Sequence, residues 1–125
     1  YASAVAANPA WPEARSNYGN VFAWRGDHAA AREQYEAALR VRPGFAMARN
    51  NLATTYAVEG DFERAAEHYR LAVEADPGYA DARFALADAL ERLGRTDEAL
   101  AEYRRTLAQR PDWEAVRKRL EAAEE

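Results

Sequence analysis

Apolar positions along the chain recur every three or four residues, the spacing of one face of an α-helix, and the stripes are interrupted by short polar turns. Over residues 47–59, Leu52, Ala53 and Tyr56 form one stripe. After Gly60 and Asp61, residues 63–75 carry a second, made of Ala65, Ala66, Tyr69, Ala72 and Val73. Each segment predicts a helix of about thirteen residues, roughly 20 Å long at 1.5 Å per residue. Gly26, Gly60 and Gly94 are expected to end the first helix of each pair, because glycine takes the left-handed conformation that such a stop requires. Asp27, Asp61 or Thr96 can then cap the helix that follows. The turn is short, so the paired helices lie antiparallel.

The pattern repeats. Pro9, Pro43, Pro77 and Pro111 stand thirty-four residues apart, as do Gly26, Gly60 and Gly94, then Ala31, Ala65 and Ala99, then Tyr35, Tyr69 and Tyr103. An aromatic series, Trp11, Phe45, Tyr79 and Trp113, follows each of these prolines by two residues, where it can staple the start of the next helix. The prolines close the second helices, having no N–H to continue the ladder and steering the preceding residue out of helical space. Small residues fall where paired helices must touch: Gly19, Ala53 and Ala87 on the first helices, Ala31, Ala65 and Ala99 on the second. Around them Tyr18, Leu52, Leu86, Phe22, Tyr56, Leu90 and the Tyr35 series fill the space. A two-helix unit cannot bury such a face alone, so its neighbours stack on it and the product is a solenoid.

These residues resemble the tetratricopeptide repeat: an apolar-x-x-[Leu/Tyr]-[Gly/Ala]-x-x-[aromatic/Leu] stretch, Gly-Asp, Ala-x-x-x-Tyr-x-x-[Ala/Thr] and Pro, in three copies over residues 12–45, 46–79 and 80–113. The resemblance implies an all-α fold, a right-handed α-solenoid of antiparallel helix pairs. Arg15, Arg49 and Arg83 depart from the pattern where a large apolar residue is usual. Their methylene stems are expected to cover the groove between helices while the guanidinium groups stay wet. Arg95 stands where the other repeats have Asp27 and Asp61, and Thr106 where they have Ala38 and Ala72. Residues 1–11 read as the end of a second helix from a preceding repeat, since Tyr1 precedes Tyr35, and Ala4 precedes Ala38, by one period; the chain is expected to be a segment of a longer protein. Residues 114–125 start like another first helix, with Leu120 in register with Leu86, but carry Arg117, Lys118, Arg119, Glu121, Glu124 and Glu125, and read as a polar cap.

Composition narrows the function. Of 125 residues 49% are apolar and 30% charged, with a net charge of −4 and no cysteine. Its 17 basic and 21 acidic residues are spread along the chain, which gives none of the electrostatic footprint of a nucleic-acid binder. Apolar runs are too short for a membrane span or a secretory leader, so the segment reads as soluble, in the cytoplasm or the periplasm. Alanine is frequent, isoleucine absent, and Lys118 is the one lysine beside sixteen arginines, the usage of a GC-rich, bacterial-type genome. His28 and His68 have no neighbouring metal-ligand set and read as surface histidines. Ser3 and Ser16 have no base nearby, and every glycine is an isolated turn or packing residue. No catalytic residue, cofactor or metal is expected.

Binding is then the expectation. In the resembled family the first helices line a concave groove that receives an extended peptide or a helix. Carried over by register, the groove positions are Glu13, Ser16, Asn17, Asn20 and Trp24, then Met47, Asn50, Asn51, Thr54 and Val58, then Asp81, Phe84, Asp88, Glu91 and Arg92. Among them Asn20, Asn50 and Asn51 suit an extended chain, because an amide both donates to and accepts from a peptide backbone; interhelical bonding is the competing use. Trp24 and Phe84 would each leave about 150–250 Å² needing cover, from a partner or from the neighbouring repeat. Members of the family that hold a chaperone's C-terminal carboxylate use cations where this chain has Ser16, Asp81 and Ala85, although Asn20 and Asn51 match the amide positions; such a clamp is disfavoured and a neutral or mixed-charge ligand expected. Two other readings stay open: the substrate-presenting repeat region of a larger enzyme such as a glycosyltransferase, and a self-assembling scaffold that extends by repeat stacking into a homo-oligomer.

Overall fold

The computed structural model describes residues 11–124, and these form helices joined by tight turns. In chain order they are α1 (Pro12–Trp24), α2 (His28–Val41), α3 (Ala46–Val58), α4 (Phe62–Ala75), α5 (Ala80–Arg92), α6 (Thr96–Gln109) and α7 (Glu114–Glu124). The expected partial helix over residues 1–11 lies, apart from Trp11, outside the described residues. Extensive contacts run between consecutive helices, and α1 also touches α3. Three antiparallel hairpins therefore stack side by side as a helical solenoid, and no helix among the described residues is long and apolar enough to cross a membrane.

The local chemistry works as the pattern predicts. Gly26, Gly60 and Gly94 have φ of 84°, 83° and 80°, a region that favours glycine. Asp27 and Asp61 accept hydrogen bonds from the backbone N–H groups of Ala30 and Arg64, both at 3.2 Å, and so cap α2 and α4. The third turn differs: Arg95 holds the cap position of α6 without a side-chain bond, and Thr96 is already the first helical residue.

Close packing depends on the small residues. Ala31, Ala53, Ala65 and Ala87 are fully buried, with Tyr35, Tyr69 and Tyr103 packed among them. Gly19 leaves no room for a side chain: a Cβ there would lie 2.8 Å from Cε1 of Tyr35. At the far end α7 docks through Val116 and Leu120, both buried. Glu121, exposed on α7, occupies the register of the buried Ala87.

The arginine series corrects an expectation. Arg83 forms a 2.9 Å ion pair with Glu102, and both side chains are only 11% exposed. Arg15 donates to Gln34 at 3.0 Å over the same nineteen-residue interval. These guanidinium groups bridge the two helices of a hairpin instead of staying in water. Burial makes the Arg83–Glu102 pair demanding, and Arg83 Nε has no partner among the described residues. The histidines are not plain surface residues either. His68 is half-buried and stacks on Tyr56 with ring centroids 5.5 Å apart; burial, and next the Arg49 charge, lowers its pKa.

Candidate functional site

The first helices line up along one face of the stack, and a hydrogen-bonded rung joins each to its hairpin partner. In the first hairpin the Tyr35 hydroxyl, buried on α2, donates to Asn20 Oδ1. In the second, the Tyr69 hydroxyl pairs with Thr54 Oγ1 at 2.8 Å. In the third, the Tyr103 hydroxyl donates to Glu91 Oε1 at 2.9 Å. Burial pushes the Tyr35 pKa up to about 12, and it raises Tyr69 and Tyr103 as well. All three tyrosines thus stay protonated and able to donate.

Rungs also connect neighbouring repeats. Asn51 on α3 donates from Nδ2 to Asn20 Oδ1 at 3.1 Å. That oxygen now accepts twice, which fixes both amides. Asn20 Nδ2 and Asn51 Oδ1 have no partner among the described residues, so the pair presents one donor and one acceptor side by side. Together with Thr54, His28, Ala23, Tyr35, Thr55 and the exposed Val58 they line a pocket of about 250 Å³. His28 Nδ1 is buried there without a partner among the described residues. A second pocket, of about 470 Å³, lies against Asn17, Asn20, Val21, Trp24 and Arg25. Trp24 is 88% exposed, so nothing among the described residues covers its ring.

The remaining groove positions are not brought together with these. Ser16 is buried. Asn50 lies beside the Tyr79 hydroxyl at the start of the next hairpin, where it acts to lower a pKa that burial raises. Phe84 lies 4.8 Å from the Trp113 ring and 5.8 Å from Tyr103, so its own chain covers it. Met47 is exposed, while Glu13 and Asp81 pair with Arg42 at 2.7 Å and Arg110 at 3.6 Å. Asp88 is engaged by Arg92 at 3.1 Å and by Arg119 at 3.3 Å. Arg119 also reaches Glu91 at 2.6 Å and the Tyr103 hydroxyl at 2.7 Å, closing the third rung from α7. Sequence reasoning assigned Tyr35 to packing and gave His28 no role in the groove. The signal for Tyr35 was its place in the tyrosine series, facing a polar residue fifteen positions earlier in each of the first two repeats.

Comparison with known proteins agrees with this geometry. Two family models, both described as tetratricopeptide repeat, match residues 57–123 and 19–80. No curated protein matches the sequence. Among solved structures, the first TPR of Spaghetti (RPAP3) bound to the HSP90 peptide SRMEEVD is similar, with a TM-score of 0.84 at 22% identity, covering 89% of this chain and 88% of that one. The TPR domain of Sgt2 from Aspergillus fumigatus has a TM-score of 0.81 at 25% identity, covering 90% and 76%. A crystal structure of MamA protein has a TM-score of 0.78 at 24% identity; it covers 84% of this chain, which spans 57% of that one's length.

Proposed function

Because the chain belongs to the tetratricopeptide-repeat family, we propose that it is a non-catalytic module that holds an extended segment of a partner protein along the first-helix groove, centred on α1 and α3. The observation that carries this reading is the amide pair. Asn20 Nδ2 can donate to a ligand carbonyl while Asn51 Oδ1 accepts a ligand N–H, and Thr54 adds a hydroxyl on the same rim. A helix would bring its backbone groups already satisfied; an extended chain brings them unpaired. Trp24 is the anchor of largest available area.

An acidic C-terminus of the kind in the HSP90 peptide is a poor match. Ser16 is buried, Asp81 is itself negative, and Ala85 has no charge to offer. A carboxylate at that end of the groove would face Asp81 and Asp88.

The test is a selection of random dodecapeptides on this protein, followed by titration of the winners against variants. Asn51→Ala and Trp24→Ala each weaken binding by about tenfold or more, whereas Leu71→Ala, on the exposed side of α4, leaves it unchanged. Helical circular dichroism stays the same throughout. Selected peptides that bind all three variants as they bind the parent protein would show that another surface is used.

A further inference from the structure

We propose that the middle hairpin carries a second binding site, independent of the first-helix groove: a cleft lined from α2, α3 and α4 in which Arg49 holds the carboxylate of a small acid or of an acidic side chain. The cleft measures about 240 Å³ and is lined by Glu36, Leu39, Arg40, Arg49, Leu52 and His68. It shares no lining residue with the pocket around Asn20 and Asn51.

The three hairpins differ at one rung. Each has an arginine on its first helix and, nineteen residues later, a polar residue on its second. Arg15 donates to the Gln34 amide oxygen at 3.0 Å, and Arg83 to the Glu102 carboxylate at 2.9 Å. In the middle hairpin the residue nineteen positions after Arg49 is His68, whose imidazole has no oxygen to offer. Arg49 is half-buried and makes no hydrogen bond or ion pair among the described residues. His68 Nδ1 is buried, also without a partner among them, and the ring stacks on Tyr56. A guanidinium partly removed from water gains most from an oxygen acceptor. The flanking hairpins show which kind suits this position: a planar amide or carboxylate oxygen.

Charge and size select the carboxylate. Burial, and next the Arg49 charge, lowers the His68 pKa; Glu67 and Glu36 act to raise it and Arg64 to lower it, and the ring is neutral near pH 7. Arg40 and Arg49 against Glu36 then leave the lining with one net positive charge. A monocarboxylate cancels that charge, whereas a phosphate group, at about −1.5 to −2, would exceed it and face Glu36. Leu39 and Leu52 are buried beside the arginines, so a pair formed there is screened less than one on open surface. The volume lies below the roughly 300 Å³ at which pockets for larger ligands begin, which limits the occupant to one side chain or an acid of that size.

The experiment titrates sodium propionate into the full 125-residue chain at constant ionic strength, with sodium chloride as the balance, and follows the His68 ring and the Arg49 Nε–H by NMR. Both signals shift together and saturate at roughly millimolar concentration, while the His28 ring stays in place. Arg49→Gln weakens binding by about tenfold or more. His68→Gln does the same without a change of charge, because it gives Arg49 the amide oxygen that Gln34 gives Arg15. Lys118→Gln, an equal loss of charge on α7, has no effect. Acetyl-glutamate methylamide separates the two sources: its binding at the same signals marks an acidic side chain of a partner protein, and its exclusion while propionate binds marks a free acid. A response that never saturates, that leaves the Arg49 signal unmoved, or that survives both Arg49→Gln and His68→Gln overturns the proposal. So does an acetyl-glutamine methylamide that binds as well as propionate.

Discussion

Two rungs of the first-helix face are built on one frame and differ in chemistry. Asn51 reaches back thirty-one residues to Asn20, and Arg119 reaches back thirty-one residues to Asp88. Each rung also receives a buried tyrosine, Tyr35 in one and Tyr103 in the other. In the amide rung, satisfying Asn20 Oδ1 twice leaves a donor and an acceptor facing outward. In the charged rung, Arg119 joins Asp88, Glu91 and Tyr103 and closes on itself. The lesson is that repeat geometry fixes where the groove residues stand, while amide or ion at one position decides whether a rung recruits a ligand or fastens the next helix.

The largest expected difference lies in the packing behind the rungs. Gly19→Val would force a branched side chain into the Tyr35 ring and cost about 3 kcal/mol of stability in urea unfolding. Its counterpart behind the charged rung, Ala87→Gly, loses one buried methyl and some helix propensity, for a cost of about 1–2 kcal/mol. A smaller contrast separates the tyrosines. Tyr103→Phe costs about 1–2 kcal/mol and loosens α7, with an effect that shrinks in high salt because its partners are ions. Tyr35→Phe costs about 1 kcal/mol at any salt concentration, since its partner is a neutral amide. Equal salt dependence in the two variants would erase the distinction between the rungs.

A further contrast appears in alkali. Burial holds the Tyr35 pKa up to about 12 in the folded chain, against an ordinary value of 10.0. A raised folded-state pKa contributes stability that is fully present below pH 10 and is lost as the pH climbs toward 12. Urea unfolding followed over that range should show a decline that is shallower for Tyr35→Phe than for the parent protein.

Much of this architecture was legible in the sequence because each signal was local. Gly26 and Asp27 sit beside each other at a turn, and their roles need no knowledge of distant residues. The thirty-four-residue period then carried those roles from hairpin to hairpin. What could not be read was partnership across helices. Arg83 and Glu102 are nineteen residues apart, and only the register between α5 and α6 turns them into a buried ion pair. Phe84 meets Trp113, and Asn50 meets Tyr79, at a shared interval of twenty-nine residues that spans two turns. Asn20 and Asn51 were singled out, but the acceptor that orients them, paired with the Tyr35 hydroxyl, required the hairpin itself.

The most direct measurement is a nitrogen-15 correlation spectrum of the labelled protein titrated with a selected dodecapeptide. The side-chain amides of Asn20 and Asn51 and the indole of Trp24 are expected to shift together and saturate, while the Trp113 indole and the Arg119 guanidinium stay in place. Shifts centred on Trp113 and Arg119, with the Asn20 and Asn51 amides unmoved, would contradict the groove assignment.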